Sequence, residues 1–304
     1  MSLISIITVN FNQHQATLEL LKSIHKHYPN ANIEIILVDN GSDFNCENYI
    51  KSQFKDIIFI RSATNLGFAG GNNLGVQKAT GKYLFFVNND TEFTAGLLNA
   101  LSQILDENPL IGVVSPQINY FDDQSIIQYA GFTQMNYYTC RNKCIGQFET
   151  DLGQYRNQSG QTGYAHGAAM MVRREAIDQA GLMAENFFLY YEEMDWCDRI
   201  KRAGYQIWIN TRGLIYHKES LSVGRNSALK EFFMNRNRIL FIRRNAGLHQ
   251  KLFFYLYFIL FVAPRNIIRY IGSGTSGFIS VLFRAIRWNF THKTDSSDLG
   301  YKLR

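Results

Sequence analysis

Apolar positions along the first third of the chain follow two periods in turn. Residues 3–9 and 33–38 are short, continuous, β-branched runs of the buried-strand type. Residues 15–27, between them, repeat their apolar positions with helical spacing. A third strand is predicted over residues 57–61. A glycine-rich turn follows, then a short helix over 72–78 and a strand over 83–87. Residues 94–108 have helical spacing, and 111–114 are strand-like again. This alternation predicts an α/β chain with a mostly parallel sheet covered by helices on both faces.

The pattern weakens from Pro116 to Gly163, where residues 126–132 and 137–140 are candidate strands in an excursion from the sheet. Residues 167–173 read as a buried strand, 192–203 as a helix, and 207–209 and 214–216 as short strands. Beyond Asn226 the chain reads as helical, which predicts a catalytic domain over 1–225 and an extension over 226–304. Residues 252–263 carry no charge and are expected to stop at Pro264. A membrane-spanning helix needs about 20 such residues. The run therefore predicts an amphipathic element lying in the plane of a membrane surface, with 278–290 as a second one bearing Arg284 and Arg287. Packing on the rest of the chain, or in a homodimer, is the alternative use of these helices.

Composition alters this picture in one respect. At 304 residues, 46% apolar and 18% charged, the chain is that of a folded protein with room for more than one domain. Its net charge of +6 is unevenly spread: residues 230–304 hold 13 Lys or Arg against three acids, so the preceding body is mildly acidic. A basic, aromatic tail suggests an anionic surface as its partner. Nucleic acid is one such surface, but the basic residues are interleaved with long apolar runs unsuited to a solvated groove, and a phospholipid leaflet fits better. The first residues run directly into a strand with no basic leader or long apolar core, which predicts a cytoplasmic protein, peripheral on the inner face of the membrane. Cys140 and Cys144 lack a second pair with zinc spacing and are expected to be ordinary thiols.

A parallel sheet gathers its ligands at the carboxyl ends of its strands. Four such ends turn polar immediately after an apolar run: Thr8-Val9-Asn10, Asp39-Asn40, Asn65 and Asn88-Asn89-Asp90. Any one of them alone is explained as a turn or helix cap; four on one rim suggest a site. The first of these turns, Asn10-Phe11-Asn12-Gln13-His14, has no glycine, which excludes a dinucleotide-binding turn. The later cluster Gly67-Phe68-Ala69-Gly70-Gly71 lacks both that spacing and the Gly-Lys-Ser/Thr of an ATPase loop.

The ordered series Ser5-Ile6-Ile7-Thr8-Val9-Asn10, Leu37-Val38-Asp39-Asn40-Gly41-Ser42, Asn65-Leu66-Gly67-Phe68-Ala69-Gly70-Gly71-Asn72-Asn73 and Asn88-Asn89-Asp90 resembles family 2 glycosyltransferases, most strongly the rhamnosyltransferase-like members. The resemblance continues through Gly167-Ala168-Ala169-Met170-Met171-Val172-Arg173-Arg174, Tyr190-Tyr191-Glu192-Glu193-Met194-Asp195-Trp196-Cys197, His217 and Asn235-Arg236-Asn237-Arg238. It covers roughly residues 3–245 and implies a GT-A fold, Rossmann-like in its nucleotide-binding half, and inversion at the sugar carbon by a single displacement.

On these residues the resemblance implies a nucleotide pocket lined by Thr8, Asn10, Asp39, Asn65, Gly67, Asn72 and Asn88. It also implies Asp90 as a ligand of Mn²⁺ or Mg²⁺, with His217 as a second ligand; imidazole favours Mn²⁺. Asn88 stands where many relatives carry Asp. The attacking hydroxyl needs a base. Adjacent helical side chains point about 100° apart, so Glu192 and Glu193 cannot face one pocket equally; the resemblance, in which the second acid is the base, implies Glu193, with Glu192 as the alternative. Asp195 and Trp196 are expected to shape the acceptor site. Arg236 and Arg238 either reach the diphosphate or pair with acids. The donor implied is a dTDP- or UDP-linked sugar and the acceptor a lipid-linked glycan. An inactive, nucleotide-sugar-binding scaffold and a nucleic-acid-binding protein are the competing readings.

Overall fold

The computed structural model describes residues 2–218 and 227–303. The expected division after residue 225 falls outside the described residues.

Ten strands form one sheet: β1 (Ile4–Asn10), β2 (Ile33–Asn40), β3 (Ile58–Ser62), β4 (Tyr83–Val87), β5 (Thr91–Phe93), β6 (Ile111–Tyr120), β7 (Ile127–Tyr129), β8 (Ser159–Gln161), β9 (Ala169–Arg173) and β10 (Gln206–His217). Their order is β3-β2-β1-β4-β9-β6-β10-β5, with β7 beside β6 and β8 beside β10. Strands β1, β2, β3, β4, β6 and β10 run one way and the others oppose them. The chain builds outward from β1 to β3, then returns to place β4 on the other side of β1. That reversal opens a crevice at the carboxyl ends of β1 and β4, where ligands of open α/β sheets bind.

The helices are α1 (His14–His27), α2 (Glu47–Gln53), α3 (Gly67–Val76), α4 (Leu97–Glu107), α5 (Arg174–Ala180), α6 (Glu192–Arg202), α7 (Ala228–Asn245), α8 (Leu248–Tyr257), α9 (Ala263–Gly272) and α10 (Phe278–Thr291). Strand alternation sorts the core into two layers. Leu84 and Phe86 of β4 face one cluster, while Tyr83, Phe85 and Val87 face the other. Ile239–Ile242 of α7 join the first cluster, so this helix shares a core with the sheet.

Several boundaries differ from the sequence pattern for identifiable reasons. The glycine-rich stretch forms the first turns of α3. A Cβ at Gly71 would lie 2.8 Å from Val9 Cγ1 and one at Gly75 2.5 Å from Ile7 Cγ2, so the glycines let the helix lie close on β1. The predicted strands over 207–209 and 214–216 are one strand, β10, bulged between Asn210 and Leu214. Residues 137–140 form a turn; in this segment pairing is limited to an isolated bridge between Asn136 and Arg141.

Pro264 does not stop the helix before it. The chain stays helical from Leu248 to Gly272 through a π-helical turn, Phe258–Val262, in which Ala263 N–H donates to Phe258 O. That wider turn lets the helix absorb the missing proline donor. At 25 residues this helix is long and apolar enough to cross a membrane by length and composition, contrary to the expectation from the uncharged run alone. It is also tied to the body. Arg269 pairs with Glu231 of α7 at 3.0 Å, the Tyr270 hydroxyl donates to the same carboxylate, and Asn266 donates to Asn235 at 3.0 Å.

Candidate active site

The carboxyl end of β2 places Asp39 in a fully buried corner. Its Oδ1 accepts from Asn10 Nδ2 at 2.9 Å, and its Oδ2 lies 3.5 Å from Arg61 Nε without a hydrogen bond. Asn10 is fully used: it also donates to Ser42 Oγ at 3.1 Å, and its Oδ1 accepts from Gln13 N–H and Thr17 Oγ1. The buried Thr8 hydroxyl has no hydrogen-bond partner. An unsatisfied buried polar atom costs about 1–3 kcal/mol, so an unused carboxylate oxygen and hydroxyl in one corner are suited to the N–H and hydroxyl groups of a nucleoside.

Asn40 shapes the next turn. It donates to Asn65 Oδ1 at 3.1 Å and Gly67 O at 3.0 Å, and accepts from Leu66 N–H. Gly67 has φ +74°, and a Cβ there would lie 2.2 Å from the Phe188 carbonyl oxygen. Asn72 is turned into its own helix, donating to Phe68 O.

After β4, Asn88-Asn89-Asp90 meets the end of β10. Asp90 Oδ1 lies 3.2 Å from His217 Nε2 yet has no hydrogen bond, and Asn88 Nδ2 is 3.4 Å from the same ring nitrogen. The other nitrogen, Nδ1, is 2.8 Å from Gln128 Oε1. An amide oxygen only accepts, so Nδ1 carries a proton, and in the neutral ring Nε2 then presents its lone pair toward the carboxylate. Two buried acceptors 3.2 Å apart call for a cation between or beside them, and a metal-bound imidazole characteristically donates its other N–H to such a partner. Among the described residues no group of three or more His, Cys, Asp or Glu side chains converges as a metal cluster. Asp90 and His217 therefore fit Mn²⁺ or Mg²⁺ as two protein ligands, in the manner of ions that take their remaining ligands from phosphates and water.

Glu192 and Glu193 open α6 and differ in setting. Glu192 is buried, and its Oε2 has no hydrogen-bond partner. Burial and then the neighbouring carboxylate push its pKa well above the usual range. Glu193 is less completely buried, and burial raises its pKa as well. Its Cγ and Cδ lie 3.8 and 3.9 Å from where a Cβ on Gly167 would stand. Since Asn88 N–H donates to Ala168 O at 3.0 Å, Glu193 and the Asn88-Asn89-Asp90 turn meet across Gly167-Ala168.

The remaining expected residues sit in the packing between helices. Asp195 is fully buried, with its carboxylate on Arg199, Arg244 and Asn245 at 2.9 Å each. Trp196 packs edge-on against Phe86 and donates to Gly181 O. The Arg236 guanidinium is fully buried between the Phe233 and Trp288 rings and donates to the carbonyls of Asn186, Phe187 and Leu299; burial lowers its pKa to about 9. Arg238 donates to Thr139 O.

Two residues outside the expected set complete the arrangement. Gln128 lies in the weakly patterned excursion, and nothing in its sequence context marks it. Asn237 was visible within a quoted motif but without a role. Its amide donates to the carbonyls of Phe187, Leu189 and Tyr190 at 2.8–2.9 Å. Those bonds hold a loop in which Phe188, Tyr190 and Tyr191 all have positive φ, directly before the two glutamates.

A sequence model described as glycosyl transferase family 2 matches residues 5–181. A low-salt glycan biosynthesis hexosyltransferase, Agl10, of Haloferax volcanii is 26% identical over 67% of this chain and 63% of its own length. An N-acetylglucosaminyl-diphospho-decaprenol L-rhamnosyltransferase of Mycobacterium tuberculosis is 22% identical over 71% of this chain and 76% of its own. Among solved structures, GalNAc-T7 with UDP, GalNAc and Mn²⁺ superposes with a TM-score of 0.61 at 16% identity, over 91% of this chain and 59% of that one. This chain thus spans less than two thirds of the Agl10 and GalNAc-T7 chains. The likeness to GalNAc-T7 is one of fold, a GT-A sheet with its helices.

Proposed function

The chain belongs to glycosyl transferase family 2, and on that premise we propose that it is a metal-dependent, inverting transferase moving a hexose, such as rhamnose, from a dTDP- or UDP-linked donor to a lipid-linked glycan precursor. The observation that carries this reading is the buried Asp90 Oδ1, which has no hydrogen bond and lies 3.2 Å from His217 Nε2 beside Asn88, with Glu193 on the other side of Gly167. The relative acting on a decaprenol-diphosphate acceptor and the neighbour holding UDP with Mn²⁺ support the choice of partners.

Asp39 Oδ2 and Thr8 Oγ1 receive the nucleoside in the corner that Asn10 holds in shape. Asp90 and His217 hold the ion, which when bound supplies charge neutralisation for the departing diphosphate. Glu193 takes the proton of the acceptor hydroxyl. The freed oxygen forms its bond to the sugar carbon as the bond to the diphosphate breaks on the opposite face, which inverts that carbon and releases the nucleoside diphosphate. Burial, and then the neighbouring carboxylate, disfavour the charged form of the more deeply buried Glu192 and make it the poorer candidate for the base.

The basic, aromatic extension supports a membrane-surface location on the cytoplasmic side. Leu252, Leu256, Ile259, Leu260, Ile268 and Ile271 are exposed along the helix from Leu248 to Gly272, as are Arg265 on that helix and Arg284 and Arg287 on α10. The polar ties of α9 to α7 favour a helix lying on the surface over one crossing it, with the apolar face inserted and the cations on anionic headgroups.

Sugar transfer from dTDP-rhamnose and UDP-hexoses to an N-acetylglucosaminyl-diphosphate carried on a short prenyl chain tests the reaction. Glu193→Gln is expected to lower the rate by about 100-fold or more, the usual contribution of a general base. Glu192→Gln is expected to retain most activity. Equal activity of both variants and the parent chain would refute the assigned base.

A further inference from the structure

Tyr120 and Phe148 are stacked face to face, ring centroids 5.8 Å apart and 7° from parallel. Phe148 is 71% exposed, so its outer face is open to solvent and its ring adds little to the core. It also has φ +66°, a left-handed backbone that a bulky side chain rarely adopts and that folding alone gives no reason to reserve for phenylalanine. The strand register fixes where this pair stands. Tyr120 is the partner of His217 across β6 and β10, and paired residues of parallel strands project to the same face about 4.8 Å apart. Phe148 N–H donates to Ile127 O at 2.9 Å, and the next residue, Gln128, is the one bonded to the His217 ring. Tyr120 thus stands on the strand next to that of His217, and Phe148 is tied to β7, the strand that carries the Gln128 partner of the same histidine. Polar groups border them: Glu149 accepts from the Tyr155 hydroxyl at 3.0 Å and from Gln154 Nε2 at 3.3 Å.

We infer that Tyr120 and Phe148 form a stacking platform for a pyranose ring of the acceptor, beside the metal-binding end of β10. A pyranose presents a face of C–H groups rimmed by hydroxyls. Those hydrogens carry partial positive charge and suit the negative face of an aromatic ring, while the rim needs hydrogen-bonding neighbours of the kind that Glu149, Gln154 and Tyr155 supply. The platform orients the sugar whose hydroxyl attacks and touches neither the nucleotide nor the ion. The inference rests on the glycosyl-transfer reading above.

The test is steady-state transfer to the N-acetylglucosaminyl-diphosphate prenyl acceptor by the full chain and three variants. Phe148→Leu, which keeps apolar bulk without a ring, and Phe148→Ala are expected to raise acceptor KM about tenfold and leave donor KM within twofold. Phe148→Tyr is expected to restore the acceptor KM. Thermal melts check the fold, which at this exposure should be insensitive to all three. If the parent chain transfers sugar and Phe148→Ala leaves acceptor KM unchanged, the platform is refuted while the transferase reading stands. A loss of vesicle binding with unchanged acceptor KM assigns the rings to the membrane and refutes it equally. If the parent chain transfers nothing to any acceptor, the transferase reading fails and the platform fails with it.

Discussion

His217 owes its chemistry to one amide. Gln128 Oε1 fixes the proton on Nδ1 and leaves Nε2 facing Asp90. Outer partners of this kind are worth about 10–100-fold in metal affinity, so Gln128→Leu is expected to weaken Mn²⁺ binding by about tenfold, measured by titration calorimetry, with the fold intact. Glu192 gives a second consequence. Its folded-state pKa is raised above that of the unfolded chain, so the native state binds more protons than the unfolded one between those two values, and stability falls as pH rises through that window. Glu192→Gln removes that proton linkage. Urea denaturation from about pH 4.5 upward should find the variant increasingly more stable than the parent as pH rises, with the two converging at the acid end. A constant offset would contradict a protonated Glu192. At this scale the placement of Asp39, Asn88 and Asp90 at strand ends was legible, because a polar residue ending an apolar run announces a rim. Gln128 was not: its function depends on β7 returning beside β6, a pairing absent from any local pattern. Asp195, Trp196 and Arg236 carry side chains as suitable for a site as for a core, and only the packing of α6 against α7 shows their internal partners.

Among the elements, the loop before α6 matters most. Three aromatic residues with positive φ, at about 1–3 kcal/mol each, need outside support. The Asn237 amide N–H groups are shared among three of the loop's carbonyls, and Phe68 N–H of α3 donates to Phe188 O at 2.7 Å. Asn237 is thus a positioning residue for Glu193. Asn237→Ala is expected to lower kcat by at least tenfold and shift the acidic limb of the pH–rate profile, while nucleotide affinity stays within about twofold; a purely structural role would move stability alone. Gly67→Ala places a methyl group against the Phe188 carbonyl at a positive φ, and is expected to cost about 2–4 kcal/mol in chemical denaturation. The sequence pattern read this glycine-rich stretch as a turn because it lacks helical apolar spacing. Its helix is stabilised by close contact with β1, and propensity does not register that contact. Pro264 misled in the opposite direction, since a π-helical turn before it removes the conflict that normally ends a helix.

At the scale of the whole molecule, the tail's basic charge divides into two populations. Arg236, Arg238, Arg243 and Arg244 are spent on internal carbonyls and on Asp195. Arg265, Arg284 and Arg287 remain exposed. The internal set weakens the nucleic-acid reading, which needed the whole charge in solvent. Leu256→Glu combined with Leu260→Glu is expected to reduce flotation with anionic phospholipid vesicles by at least tenfold without changing donor binding. An unchanged flotation together with a halved solution mass would assign this stripe to a dimer instead. The mostly parallel frame was legible from strand–helix alternation, whereas the opposing strands β5, β8 and β9 depend on distant partners and gave no such signal.

The metal site proposed on Asp90 and His217 would join the end of β4 to the far end of β10, and metal-dependent donor binding tests it directly. Titration of UDP and dTDP into the parent chain, Asp90→Ala and His217→Ala, each with Mn²⁺ and with a chelator, should show tight binding only to the parent chain with Mn²⁺. Both variants should fall to the weaker level seen with the chelator. Full Mn²⁺-dependent affinity in either variant, or equal affinity of the parent chain with and without the ion, would contradict a site built from Asp90 and His217.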